Sequence, residues 1–184
     1  MKTGIISILG AILLVLTPSL PASASESGTI TITMTPVETV ISISLDKASW
    51  PLGEVTEDSE YKTDPEATWC TITNEGNVNV DVGIVGKNAP LGSFKWFLSE
   101  DGTNSGVGSY PEYALWYHMA MDTEGSYTSI TLTQTSMKKG GESITLEIAS
   151  TKQFGLKLLT PDSFPSEYVD KEMTTHITIS AVPA

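Results

Sequence analysis

The stretch Thr71–Ile84, TITNEGNVNVDVGI, contains the clearest fold signal in the chain. Its second half alternates apolar and polar residues, which is typical of a strand with one buried and one exposed face. The apolar residues of this half are Val78, Val80, Val82 and Ile84. Asn74–Asn77, NEGN, separates it from a first strand at Thr68–Thr73, and Asn and Gly tolerate the positive φ angles of tight turns. We therefore predict an antiparallel hairpin over this stretch.

Strand patterns recur along the rest of the chain, and no segment shows a long 3.6-residue period. The further predicted strands are Gly28–Thr35, Thr39–Leu45, Ser93–Leu98, Glu112–Met121, Ser129–Thr135, Ser143–Ala149, Phe154–Thr160 and Thr175–Ala181. A short helix is the alternative for Glu112–Met121, where the alternation of Tyr113, Leu115, Tyr117, Met119 and Met121 favours a strand. About nine short strands predict an all-β fold, a single antiparallel β-sandwich of immunoglobulin or jelly-roll type over residues 38–184, with Greek-key-like connections. A closed barrel is the alternative. Since a minimal immunoglobulin-type sandwich has about 100 residues, we place the excess in an insertion around residues 86–129.

The first 24 residues have the features of a signal peptide. Lys2 provides a short positive region, Ile5–Leu16 is an apolar run, and Ala22–Ala24 offers small residues at a cleavage site. The apolar run is short for a membrane span, although an uncleaved N-terminal anchor is the alternative. We therefore expect residues 1–24 to be removed and the remaining chain to be secreted, in the extracellular space or at the cell surface.

Charge and cysteine content narrow the choice of partners. All ten basic residues are lysine, and without Lys2 the remaining nine face twenty-two acidic residues, a net charge of −13. An acidic chain without arginine is poorly suited to nucleic acid or to an anionic membrane, so we expect neither as a partner after signal cleavage. Cys70 is the single cysteine, which excludes an intrachain disulfide, and its strand context favours a buried hydrophobic role.

The alternating segment GTITITMTP begins a few residues after the expected cleavage site. One face of this strand carries Ile30, Ile32 and Met34, the other carries threonines, and Pro36 cannot donate a ladder hydrogen bond. A sheet edge presents unpaired N–H and C=O groups that accept a compatible strand. Residues 25–37 therefore form a candidate donor strand, which pairs either within its own domain or with a neighbouring copy.

Two segments resemble known secreted proteins. Thr71–Ile84 and Met137–Ile148, MKKGGESITLEI, resemble the strand–turn–strand segments of secreted immunoglobulin-like modules. The order of signal peptide, alternating strand, second strand and TITNEGN turn also resembles TasA/camelysin-type fibre subunits of biofilm matrices and archaeal bundling pili, over the first third of the chain. This second resemblance implies polymerisation by insertion of the new N-terminal strand into the sheet of the next subunit.

The sequence contains no motif that assigns a catalytic activity, so we expect a protein that is not an enzyme and needs no cofactor. Phosphate-binding loops and the nucleophile elbow are missing, and neither His118 nor His176 has a zinc partner at the usual spacing. Glu100, Asp101 and Asn104 form a weak calcium candidate, because their spacing departs from that of a calcium loop.

These observations leave two functions of different class. The favoured one is a structural subunit that polymerises with copies of itself into an extracellular filament, pilus or matrix fibre through Ile30, Ile32 and Met34. The alternative is a monomeric secreted module that binds a glycan or a cell-surface partner through exposed aromatic side chains. Trp69 is the candidate contact for a polysaccharide, because the alternation of Cys70 and Ile72 directs it away from the core.

Overall fold

The computed structural model describes residues 34–63, 66–105, 110–122 and 126–184. The chain divides between Pro36 and Val37 into two units, and all the strands belong to the second. The described strands are β1 (Ile43–Leu45), β2 (Glu60–Lys62), β3 (Cys70–Asn74), β4 (Val80–Gly86), β5 (Ala89–Leu91), β6 (Phe94–Leu98), β7 (Glu112–Met119), β8 (Thr128–Ile130), β9 (Thr135–Ser136), β10 (Lys138–Lys139), β11 (Glu142–Ser143), β12 (Thr145–Leu146), β13 (Thr151–Leu159) and β14 (Ile177–Pro183). Two 3₁₀ turns, Glu66–Thr68 and Ser166–Tyr168, complete the described secondary structure.

Most strands belong to two sheets. The larger sheet has eight strands in the order β1-β3-β13-β7-β6-β5, with β2 added on β13 and β8 on β7. The smaller sheet has the order β12-β4-β14, with β9 also on β4, and β10 and β11 form a separate hairpin. All pairs are antiparallel except β6 with β7, so the larger sheet is mixed. The predicted all-β class is confirmed. In the part of the chain that the structure describes, no helix has the length and apolar composition needed to cross a membrane.

The two sheets contribute to one hydrophobic core, an arrangement consistent with a β-sandwich. Ile72 and Phe154 enter it from the larger sheet, and Val82 and Ile84 enter it from the smaller one. Strand β7 has buried residues on both faces, because Ala114 and His118 are buried on one face and four side chains of the predicted row are buried on the other. These are Tyr113, Leu115, Tyr117 and Met119. Burial of such aromatic and aliphatic side chains is the main source of stability for a sheet protein of this size.

The predicted hairpin over Thr71–Ile84 is wrong, because its two strands lie in different sheets. Strand β3 pairs with β1 and β13, whereas β4 pairs with β9, β12 and β14. The connecting residues 74–77 do not have the positive φ angles on which the hairpin prediction rested. The alternation of β4 was read correctly as one buried face, but alternation does not specify which strand lies beside it.

Asn74 is the residue that makes this crossing possible. Its side chain is completely buried, and its Nδ2 donates to the carbonyl oxygens of Val78 (2.9 Å), Leu146 (3.1 Å) and Glu147 (3.2 Å). Its Oδ1 accepts a hydrogen bond from the N–H of Gly76 at 3.0 Å. Because Asn74 ends β3 and Leu146 belongs to β12 of the smaller sheet, one carboxamide joins the two sheets where the chain passes between them.

The segment around residues 86–129, predicted as an insertion, is an integral part of the fold. It contains β7, which pairs with β13 along six residues and lies inside the larger sheet. The segment is additional only in comparison with a minimal immunoglobulin-type sandwich. In this domain its apolar strands form much of one face of the core.

The N-terminal part of the domain is less regular than predicted. Strand β1 begins at Ile43 rather than Thr39, because the side chain of Asn77 binds the backbone that precedes it. Asn77 Oδ1 accepts from the N–H of Val40, and its Nδ2 donates to the carbonyl of Glu38, both at 2.7 Å. The predicted signal peptide and most of the predicted strand Gly28–Thr35 lie outside the described residues, and its described end, Met34 and Thr35, is not in a strand.

We expect Asn74→Ala to destabilise the fold by about 2–3 kcal/mol, because it leaves buried carbonyl groups without their donor. Urea unfolding followed by circular dichroism measures the change. The matched control is Asn79→Ala, in which an exposed side chain loses one hydrogen bond to the N–H of Ile148 and the expected cost is below about 1 kcal/mol. Equal costs for the two variants would contradict the role given to Asn74.

Candidate functional site

An apolar groove lies between the inner face of the larger sheet and strand β14. Its volume is about 1270 Å³, and it opens to the surface of the domain. The apolar side chains of its floor come from several strands of the larger sheet, and include Cys70, Tyr113, Phe154, Leu156 and Leu158. Ile177 and Ile179 of β14 line the opposite side. Tyr113, Phe154 and Leu158 are themselves buried, so the groove is reached along the partly exposed side chains of Cys70, Leu156, Ile177 and Ile179.

Two segments without regular strand structure border the groove. Residues 48–55 make no backbone–backbone hydrogen bond to another described residue, and they contact the core through the half-buried Trp50, Leu52 and Val55. Residues 169–175 border the groove on the side that leads into β14. A border held by side-chain packing rather than by a hydrogen-bonded ladder opens more easily than a paired strand.

Tyr113 closes a small polar network at the groove. Its hydroxyl donates a hydrogen bond to the backbone oxygen of Lys87 and lies 2.6 Å from Oγ1 of Thr175. The Thr175 hydroxyl also donates to the Lys87 oxygen, at 2.6 Å. The ring is 1% exposed, and burial raises the pKa of Tyr113 to about 12. This network attaches the segment that leads into β14 to strand β7, and Thr63 and Thr160 add further polar side chains to the groove lining.

Cys70 presents its thiol on the floor of the same groove. It is half-buried, and burial raises the pKa of the thiol. Its Sγ is 3.9 Å from the backbone oxygen of Lys47. The sequence predicted a buried thiol, whereas the structure leaves Cys70 partly exposed, and as the single cysteine of the chain it reports on access to the groove.

Of the three residues predicted to form the donor face, Ile30 and Ile32 lie outside the described residues. Met34 is described, and 83% of its surface is exposed. Val37, a little further along, is 77% exposed. Within the described residues, these two apolar side chains at the end of the predicted donor strand are therefore exposed.

Trp69 lies on the outer face of the larger sheet and is half-buried. Its ring meets that of His118 edge-on, with the centroids 5.5 Å apart. It also covers Gly155, where an added Cβ would come 2.9 Å from Cε2 of Trp69. Much of this indole is therefore engaged with its own sheet.

The rest of the outer face is held by a small network around Lys157. Its Nζ lies 4.3 Å from the ring centroid of Trp116, 4.7 Å from that of Tyr127 and 3.2 Å from Oε2 of Glu60. Glu60 also forms an ion pair with Lys62 at 2.6 Å. The hydrogen bonds from Lys62 and then from Lys157 lower the pKa of Glu60. The network ties β2 to β13 and β7 through cation–π and ionic contacts.

The three calcium candidates are engaged separately. Glu100 Oε1 accepts a hydrogen bond from the N–H of Leu132 at 3.1 Å. Asp101 accepts hydrogen bonds within its own turn, which lower its pKa. Asn104 donates to Oδ1 of Asp58 at 2.8 Å. In the described ranges, no group of three acidic, His or Cys side chains is placed to hold a metal ion.

Comparison of the chain with known protein families, with characterised proteins and with solved structures gives no match. A functional proposal for this chain therefore rests on the geometry of the groove and of the outer face.

The groove itself was not predicted from the sequence. Phe154–Thr160 was predicted only as a strand, and the structure shows that Phe154, Leu156 and Leu158 of β13 line the floor. Whether such a face is fully covered depends on which segments lie opposite, and residues 48–55 and 169–175 show no periodicity that reveals their position. The turn residues Pro51 and Gly53 were the available signal that no strand would cover this side.

We expect the stability of the protein to fall with rising pH between about 10 and 12 because of Tyr113. An unfolded tyrosine loses its proton near pH 10, whereas folded Tyr113 keeps it to about 12. The folded state therefore binds more protons in this range, and each pH unit costs about 1.4 kcal/mol. In Tyr113→Phe this contribution to the pH dependence of stability is absent. The variant also lacks the hydrogen bond to the backbone oxygen of Lys87.

Urea unfolding at several pH values measures this effect, and absorbance of the tyrosinate near the alkaline end measures the titration directly. Tyr110→Phe is the matched control, because it removes one exposed phenol. A pH dependence that is the same in the wild type and in Tyr113→Phe would contradict the assignment.

Proposed function

We propose that this protein is a secreted structural subunit that polymerises with copies of itself into an extracellular filament or matrix fibre. Each copy inserts its N-terminal strand, Gly28–Thr35, into the domain of the next copy. The observation that carries the proposal is the open apolar groove between β14 and the larger sheet. A groove lined by partly exposed apolar side chains is suited to bind an apolar segment.

The proposed donor strand is chemically suited to this groove. Residues 28–36 carry no charged side chain, and Ile30, Ile32 and Met34 form one apolar face. Burial of each such side chain contributes about 1.5–3 kcal/mol, whereas a charge in the same place would be costly. The exposure of Met34 supports the view that this face is available to a partner.

The position of the two elements favours an open polymer. Donor strand and groove are different parts of one chain, so each copy offers one of each. Such a head-to-tail interface repeats without limit unless the ring closes, and it then produces a filament. Removal of residues 1–24 during secretion would leave the donor strand close to the new N-terminus, where little chain has to be threaded into the groove.

Substitution of the donor face tests the proposal. We expect the chain from Ser25 onwards to form filaments in negative-stain electron micrographs, and the double variant Ile30→Asp, Ile32→Asp to remain monomeric by light scattering. The reason is that two carboxylates cannot enter an apolar groove without losing their hydration.

The matched control is Thr31→Asp, Thr33→Asp, which adds the same charge to the opposite face of the same strand. This variant is expected to polymerise. If the chain from Ser25 stays monomeric at high concentration, or if the Ile30/Ile32 variant forms filaments as well as the control does, the proposal fails. Retention on a polysaccharide column by a strictly monomeric protein would favour the glycan-binding alternative.

A further inference from the structure

Strand β14 differs from every other long strand in the described part of the chain. It is seven residues long and pairs with β4 alone. The other long strands, β4, β7 and β13, each have partners on both sides. Strands that end a sheet elsewhere, such as β1 and β5, have three residues. The smaller sheet therefore ends in a full-length edge that borders the groove.

The edge of β14 lacks the usual protection against strand addition. Natural edges are commonly short or interrupted by a charge, a proline or a bulge. Residues 177–182, ITISAV, contain no charge and no proline, and Pro183 then ends the run of N–H donors. The short edge strand β5, by contrast, contains Pro90. Alternate N–H and C=O groups of β14 point away from β4, and no other described residue forms a hydrogen bond with the backbone of residues 177–182.

The side chains of β14 show which face of the smaller sheet points to the core and which is exposed, and an added strand would share these two faces. Ile177, Ile179 and Ala181 pack partly buried against the core, whereas Thr178 and Val182 are exposed. A strand beside β14 would have its own alternate residues on the same two faces. Ile30, Ile32 and Met34 would then extend the apolar row into the groove, and the threonines would lie on the exposed face.

We propose that β14 is the acceptor edge, and that residues 28–35 of a second copy add to it as a further strand of the smaller sheet, over the groove floor that holds Cys70 and Phe154. This inference rests on the proposed polymerisation and adds the site at which it occurs. Eight residues of strand span about 26 Å, which matches the length of the seven-residue β14.

Hydrogen exchange measured by mass spectrometry locates the acceptor. Amides in peptides that cover residues 177–182 are compared between assembled protein and the monomeric Ile30→Asp, Ile32→Asp variant. About half of these amides point to the free edge, and we expect them to exchange at least tenfold more slowly in the assembly. Peptides that cover β1 and β5 are expected to keep their rates.

The rate at which the Cys70 thiol is modified provides a second measurement on the same samples. Because it is the single cysteine and lies on the groove floor, its modification by N-ethylmaleimide reports access to the groove. We expect modification to be at least tenfold slower in the assembly than in the monomeric variant.

Substitution of the acceptor edge gives a complementary test. We expect Ile179→Asp to abolish filaments, whereas Thr178→Asp, on the exposed face of the same strand, leaves them intact. Ile179→Asp keeps an intact donor strand, and the Ile30/Ile32 variant keeps an intact groove. Mixed together, the two non-assembling variants should form a one-to-one dimer with a single junction, which also shows that the Ile179 variant is folded.

The outcomes separate the two proposals. If filaments form while the exchange of β14 is unchanged and that of β1 or β5 slows, the acceptor assignment is wrong and polymerisation stands. Filaments of Ile179→Asp, or a mixture that yields no dimer, would also overturn the assignment. If no filaments form under any condition, the proposed function fails and the acceptor site fails with it.

Discussion

The buried carboxamide of Asn74 is the contact on which the arrangement of the two sheets depends. It lies at the end of β3, and its hydrogen bonds reach Val78 along the chain and Leu146 in β12. A buried amide that binds several backbone carbonyl groups is strongly favoured over one without partners, so the chain has one well-defined path at this point. Because of this path, the chain leaves the larger sheet after β3 and enters the smaller sheet at β4.

The groove and its edge follow from that crossing. Once β4 belongs to the smaller sheet, β14 pairs with it and becomes the last full-length strand of that sheet. Cys70 and Phe154 of the larger sheet then face a region that residues 48–55 and 169–175 border without regular pairing. The two sheets that share a hydrophobic core elsewhere in the domain are separated here by the groove, beside the edge of β14.

The two faces of the larger sheet have different chemistry. On the outer face, Glu60, Lys62 and Lys157 pair with one another and with aromatic rings, so the charges are compensated within the sheet. The inner face beside the groove is apolar. The excess of acidic residues over the whole chain keeps separate copies apart by general repulsion, and this favours specific contacts over random association of exposed apolar surfaces.

The sequence by itself determined the all-β class and the buried apolar row of β4, because alternation at a period of two residues is a local property of a half-buried strand. It also predicted that Ile30, Ile32 and Met34 form one apolar face of an N-terminal strand. Only the tertiary structure decided that β3 and β4 lie in different sheets, that β7 lies inside the larger sheet rather than in an insertion, and that β14 ends the smaller sheet beside a groove. These features depend on which strands lie next to one another, and strand pairing is set by contacts between distant segments, such as that of Asn74 with Leu146, which no local pattern contains.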